Sequence, residues 1–193
     1  MEQKEIKALF EEERALLSGH FLLSSGLHSD TYFQSALILQ YPELAEMLAV
    51  EISKKMETLG SLIDIVVSPA LGGIIIGYEL GRALDKKAIF CERVDTKLTL
   101  RRGFQILQHE KCLIVEDVIT TGKSTNEVIE VVKANGGTVS AVASLVDRSG
   151  GKVDFGVPRF SLLQVEVKSY KPEECPMCKA GIPFIKPGSR NIK

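Results

Sequence analysis

Glu116 and Asp117 close the apolar run Cys112-Leu113-Ile114-Val115 and are followed by Val118, Ile119, Thr120, Thr121, Gly122, Lys123 and Ser124. Hydroxyl and glycine residues where a strand hands over to a helix leave backbone N–H groups free to converge on an anion at the helix's positive end. Two carboxylates would repel that anion if they faced it. Their natural partners are instead the hydroxyls of a sugar or a divalent cation. Phosphate on one side and a diol on the other describe a ribose 5-phosphate. Gly122-Lys123-Ser124 looks like the end of a P-loop, but that motif needs a glycine five positions before Gly122, where Asp117 stands. The P-loop is thereby excluded. The plainer alternative is a solvated turn followed by an ordinary helix cap.

The elements that must position these groups are legible as alternation. Residues 2–17 carry Ile6, Leu9, Phe10, Leu16 and Leu17 among charges, the pattern of an amphipathic helix, and the polar stretch 23–34 breaks it. A second helix is expected from Pro42 to Gly60. The β-branched run 62–69 reads as a strand, followed by the small residues Ala70 to Gly73 and a helix. Further strands are expected over 87–92, 111–117, 138–146 and 160–167, with a helix over 123–135 that Asn135 and Gly136 terminate. Strands alternating with helices imply parallel βαβ units in one open α/β sheet. Ligands collect at the carboxyl ends of such strands, where three loops gather: 68–73, 116–124 and 146–151.

Composition narrows the class. The chain has 193 residues, 45% of them hydrophobic, and a formal charge of −1. That suits one globular domain over 1–193, without the positive field that draws in nucleic acid. No apolar run approaches a membrane span, and the acidic start lacks the plan of a signal peptide, which points to the cytoplasm. Cys91 and Cys112 lie in apolar runs and read as small core residues. Cys175 and Cys178 form C-P-M-C, which offers at most two thiolates; the three scattered histidines do not obviously complete four ligands, so a turn in the C-terminal tail is the expectation, zinc or redox use is the alternative, and no side-chain metal site is assigned.

The segment 113–125 resembles the diphosphoribosyl-binding signature of the type I phosphoribosyltransferases, and 19–42 and 144–151 are similar to segments of the orotate-using members. The resemblance implies that family's fold, a central mostly parallel sheet flanked by helices. A small hood would come from about residues 1–40 and the segment from about 160. It implies that Glu116 and Asp117 hold the ribose hydroxyls of 5-phosphoribosyl 1-diphosphate, that Thr120, Thr121, Gly122, Lys123 and Ser124 hold its 5-phosphate, and that Val118 and Ile119 belong to the same donor-binding stretch. It also implies Mg²⁺, carried mainly by the diphosphate, and a homodimer. Arg93, Lys97 and Arg101, from a basic stretch, would meet the leaving group, with Arg93 and Lys97 joining the two carboxylates in catalysis; an exposed hairpin with solvated charges is the alternative. Orotate would be met by Thr120, Arg148, Tyr32 and Phe33. The fork of Arg148 suits a carboxylate, though a salt bridge to Asp147 is open. Tyr32 and Phe33 would either flank the ring or simply pack. The chain departs from the family pattern at Ser24, Gly72 and Gly73, where lysines are common, and by having one lysine in the basic loop. Ala70–Leu71 is the bond expected to be strained or cis. A different base, or a regulator that only senses the donor, remains the alternative reading.

Overall fold

The computed structural model describes residues 1–23, 26–60 and 62–187, so Ser24 and the end of the tail lie outside the described residues. Helix α1 (Gln3–Glu12) buries Ile6 and Phe10. It stops well short of residue 17, because Arg14 turns left-handed (φ 54°) and Leu16 opens strand β1 (Leu16–Leu22). An apolar pair such as Leu16-Leu17 fits either period, and pairing with β2 (His28–Phe33) decides between them. Sequence reading missed β2 because two of its buried residues, His28 and Ser29, are polar.

After a short α2 (Ala36–Leu39), α3 (Pro42–Lys55) starts on Pro42 as its first residue and buries Ala45, Leu48, Ala49 and Ile52. A brief α4 (Glu57–Gly60) leads to β3 (Ile65–Pro69), which is wholly buried. There follow α5 (Gly73–Leu84), β4 (Lys87–Val94), β5 (Lys97–Leu100), β6 (Lys111–Ile119), α6 (Lys123–Ala134), β7 (Thr138–Asp147) and β8 (Arg159–Gln164). These strands form one six-stranded sheet in the order β5-β4-β3-β6-β7-β8, parallel throughout except for the β4–β5 hairpin. The direction of winding reverses between β3 and β6. Their adjacent carboxyl ends therefore open a crevice of the kind in which open α/β sheets bind ligands.

Apolar side chains fill both faces. Leu48, Ile52, Ile76 and Leu80 of α3 and α5 pack on Leu113 and Val115 from one side. Val128, Ile129 and Val132 of α6 pack on Ile65, Val67, Cys112 and Ile114 from the other. Each such side chain contributes roughly 1.5–3 kcal/mol relative to exposure. Cys91 and Cys112 are core residues as expected, and burial pushes both thiols up to about 12, far from use as nucleophiles.

The chain then crosses to a second sheet, β1-β2-β9, whose last strand is β9 (Ser169–Tyr170); a 3-10 turn (Pro172–Glu174) and one helical turn, α7 (Pro176–Lys179), complete it. This hood stands over the carboxyl edge of the main sheet. Because β8 pairs with β7, the tail segment that joins the hood begins beyond Gln164. Among the described residues, no helix is long and apolar enough to cross a membrane.

Close approach of α5 to the sheet sets the crevice. A Cβ on Gly73 would lie 2.9 Å from the Val115 carbonyl oxygen and 3.1 Å from Pro69 Cδ, atoms that cannot rotate away. Gly73→Ala is expected to lower Tm by several degrees, since overpacking costs about 1–3 kcal/mol and each kcal/mol is worth roughly 2–4 °C at this size. Thermal unfolding by circular dichroism checks it; an unchanged Tm would show that α5 can shift freely.

Candidate functional site

Strand β6 carries the apolar run and, unlike the expectation of a strand that ends at the acidic pair, continues through Glu116 and Asp117 to Ile119. Neighbours on a strand face opposite ways. Asp117 projects into a cavity of about 800 Å³, whereas Glu116 lies in a small cup lined by Val118 to Thr125. The two carboxylates thus have unequal surroundings. Glu116 is 7% exposed, and burial, reinforced by the neighbouring Asp117 carboxylate, pushes its carboxyl well above the usual range. Its Oε1 accepts from the Asp117 backbone N–H at 3.2 Å.

The cup is built at the turn from β6 into α6. Gly122 caps α6 in the left-handed conformation (φ 75°), which places the amides at the start of the helix against the loop. A Cβ there would also lie 2.7 Å from Val153 and 2.9 Å from Phe155, so glycine is required twice over. Thr120, Thr121, Lys123 and Ser124 line both the cup and the cavity. Ile119 contributes backbone only, its side chain lying in the core and its carbonyl accepting from Arg148 N–H at 2.9 Å. From the neighbouring strand, Ala70–Leu71 is the expected cis peptide, and a Cβ on Gly72 would fall 2.6 Å from Asp117 Oδ1. That glycine lets the loop after β3 lie against the carboxylate, a contact no sequence spacing announces.

On the far wall the loop after β7 presents Arg148. Asp147 is not its partner: Asp147 is fully buried, accepts from Ser149 N–H (2.8 Å) and Ser149 Oγ–H (2.6 Å), and faces Arg159 at 3.4 Å. Arg148 turns the opposite way, under the hood. Its Nη2 donates to Ser29 Oγ and to the Thr31 carbonyl, both at 3.3 Å, and its guanidinium lies 5.9 Å from the Phe33 ring centre. It is 8% exposed, has no ion pair among the described residues, and its Nε has no hydrogen-bond partner. Burial lowers its pKa, with Tyr32 and Asp30 opposing. A desolvated, uncompensated arginine on a cavity wall is a standing attraction for an anion.

Tyr32 and Phe33 both line the cavity but differ in role. Phe33 is core, edge-on to Phe10 at 6.0 Å. Tyr32 is the half-buried one, lies 5.7 Å from Phe21, and has its hydroxyl pKa raised by burial and by Asp117 and lowered by Arg148. Tyr32, Asp117 and Arg148 thus share one electrostatic space. Leu22, Leu23 and Leu27 form an apolar wall that sequence reading did not assign.

The basic stretch forms the β4–β5 hairpin. Arg93 Nη1 donates to the Thr96 carbonyl (2.5 Å) and Nη2 to Glu127 (2.6 Å), while Arg102 pairs with Glu92 at 2.8 Å. Arg93, Lys97 and Arg101 do not line this chain's cavity.

Residues 38–159 match the phosphoribosyl transferase domain. The chain belongs to the phosphoribosyltransferase family. Among curated relatives of this phosphoribosyltransferase, the orotate phosphoribosyltransferase of Carboxydothermus hydrogenoformans is 56% identical over 94% of this chain and 95% of its own length. That of Caldanaerobacter subterraneus is 50% identical over the whole of both. The crystal structure of orotate phosphoribosyltransferase from Aeropyrum pernix superposes with a TM-score of 0.65 and 27% identity, covering 82% of this chain and 93% of that one. An adenine phosphoribosyltransferase from Thermoanaerobacter pseudethanolicus (TM-score 0.59, 18% identity, covering 69% of this chain and 87% of that one) shares the fold, which by itself does not select a base.

The buried acid gives a test with a sign. Unfolded, Glu116 ionises near pH ~4.3; folded, it holds its proton to higher pH, so stability falls as pH rises from ~4.3 through the raised value. Glu116→Gln is expected to melt above the parent protein at pH 7–8, with the gap closing toward pH ~4.3. A gap independent of pH in thermal unfolding would show that Glu116 is not protonated by burial.

Proposed function

We propose that the chain transfers the phosphoribosyl group of 5-phosphoribosyl 1-diphosphate to a ring nitrogen of orotate, giving orotidine 5′-monophosphate and diphosphate. The observation that carries the choice of acceptor is Arg148, buried and without a carboxylate partner among the described residues, facing Asp117 across the cavity. Orotate brings the carboxylate that Arg148 lacks. The relatives named for that activity, at 50–56% identity over nearly the whole chain, agree.

The 5-phosphate sits in the cup against the Thr121 to Ser124 backbone, with Lys123 as its cation and Thr120 at the junction with the acceptor. Asp117 takes the ribose hydroxyls on the cavity side, and Glu116 supports the loop from below. The new N–C1′ bond forms as the C1′–O bond to diphosphate breaks, and positive charge grows on the ribose between them. Asp117 is the group placed to stabilise it, while Tyr32 offers its face to the flat acceptor. Nothing here needs a nucleophile; the protein positions and stabilises. Mg²⁺ fits this arrangement as an ion the donor brings: the cavity contributes Asp117, and no group of three or more ligating residues lies there among the described residues. When bound it would neutralise charge on the diphosphate.

Arg148→Ala is expected to raise KM for orotate at least tenfold, about 1.4 kcal/mol, with KM for the donor nearly unchanged; Asp117→Asn should lower kcat by at least as much. Steady-state kinetics with orotate, uracil, adenine and xanthine check both, and turnover of another base but not orotate would overturn the acceptor assignment.

We also propose a homodimer. Ile75 and Tyr78 of α5 are 43% and 63% exposed, and Leu71, in the turn just before the helix, is 84% exposed, an apolar group suited to meeting a second copy. Light scattering should give about twice 21.2 kDa, reverting to the single-chain mass in Ile75→Glu/Tyr78→Glu; a monomeric parent protein at assay concentration would refute it.

A further inference from the structure

The C-P-M-C pair, read from sequence as a turn, comes to rest on two histidines 150 residues away. Cys175 is fully buried before α7 and Cys178 sits within it; His20 of β1 and His28 of β2 are 4% and 3% exposed. His20 Nε2 lies 2.6 Å from His28 Nδ1, 3.5 Å from Cys175 Sγ and 3.7 Å from Cys178 Sγ, and Cys178 Sγ lies 3.2 Å from His28 Nδ1. All four ligand atoms lie within 4.8 Å of one another. Metal–nitrogen bonds of ~2.0–2.1 Å and metal–sulfur bonds of ~2.3 Å put the corners of a tetrahedron roughly 3.3–3.8 Å apart. Three of the four separations fall within or beside that range. Of these four, only the nitrogen–nitrogen separation must open, by roughly 0.7 Å.

The surroundings are those of a ligand set. His20 Nδ1 lies 2.7 Å from the Ile182 carbonyl, which can only accept. Nδ1 therefore carries the proton, and the Nε2 lone pair is aimed into the cluster, the orienting hydrogen bond that ligating histidines have. Phe184 closes the outer side, with its ring centre 5.8 Å from that of His20 and 5.2 Å from that of His28. Four nitrogen and sulfur atoms turned toward one another behind an aromatic lid are poorly served by weak thiol hydrogen bonds.

We propose that His20, His28, Cys175 and Cys178 bind one zinc ion as a closed structural site. Two thiolates and two imidazoles in a tetrahedron select zinc over hard cations such as Mg²⁺, and four protein ligands leave no open position for catalysis. The ion joins β1, β2 and α7, and so clamps the tail onto a hood sheet whose third strand is only two residues long. Ile185 then runs beside β1, its N–H donating to the His20 carbonyl and its carbonyl accepting from Leu22 N–H. The neighbour of His28 on β2, Ser29, is the residue Arg148 docks on. The clamp therefore fixes the strand that forms the Arg148 side of the cavity.

The full chain, purified without chelator, is expected to contain about one zinc per chain by elemental analysis. Cys175→Ser/Cys178→Ser should reduce this to near zero, while His109→Gln, the histidine outside the cluster, leaves it unchanged. Stripping zinc from the parent protein with a chelator, in excess Mg²⁺, should lower Tm by several degrees, and added zinc should restore it. Co²⁺ reconstitution of the parent protein should give the visible spectrum of a tetrahedral ion with thiolate charge-transfer bands, a readout that does not depend on a variant folding. Parent protein that neither carries nor takes up zinc or Co²⁺, a Co²⁺ spectrum without thiolate bands, or an intact Cys175–Cys178 disulfide by mass spectrometry would each overturn the proposal.

Discussion

Two consecutive carboxylates at the carboxyl end of the central strand constrain everything around them. On opposite faces of β6 they cannot share an environment. Glu116 goes under the loop, where burial holds its proton, and Asp117 goes into the crevice. Gly72 must lack a side chain because Asp117 occupies that space, and Gly73 must lack one because Val115 carries its carbonyl there. The approach of α5 to the sheet follows from those two absences. On the other face Gly122 turns left-handed so that α6 can begin beside Glu116. A single strand end thereby sets both the Asp117 side and the cup side of the cavity.

The opposite wall works by desolvation. Placing Arg148 beneath the hood leaves Nε without a partner, a cost of about 1–3 kcal/mol. Ser29, Thr31 and the Phe33 face compensate only in part. This accounts for the polar composition of β2: its buried face must serve an arginine at one end and, through His28, a sulfur cluster at the other.

How much of this was legible depended on whether the information is local. The parallel sheet, the helix starting at Pro42, the cup of 120–124 and the two core cysteines are written in periodicity and in adjacent residues, and they were readable. So was the cis bond at Ala70–Leu71, through family resemblance. The end of α1 was not, because Leu16-Leu17 suits helix and strand equally until β2 is present to pair with it. Strand β2 was hidden because its inward residues are His28 and Ser29. The grouping of Cys175 and Cys178 with His20 and His28 was invisible for the same reason: it exists only once β1, β2 and the tail share one layer. Arg148 could be singled out, but Asp147 turning to Arg159 is a tertiary outcome no spacing encodes.

The charges left over point to the remaining step. Of the cavity's cations, Arg148 is held beneath the hood, Lys152 is paired with Glu166, and Lys123 stands at the cup. A diphosphate leaving group needs more, and this chain holds its other candidates on the β4–β5 hairpin, away from the cavity. Arg93 is tied there to Glu127 through a partly exposed pair, and such pairs are worth about 0–1 kcal/mol. Lys97 and Arg101 have no ion pair among the described residues. Redirecting the hairpin toward a diphosphate thus gives up very little and gains charge-assisted hydrogen bonds in a desolvated site. An arrangement in which a second copy's hairpin supplies these cations would make the exposed face of α5 and the basic hairpin parts of one design, with neither cavity complete until two chains meet.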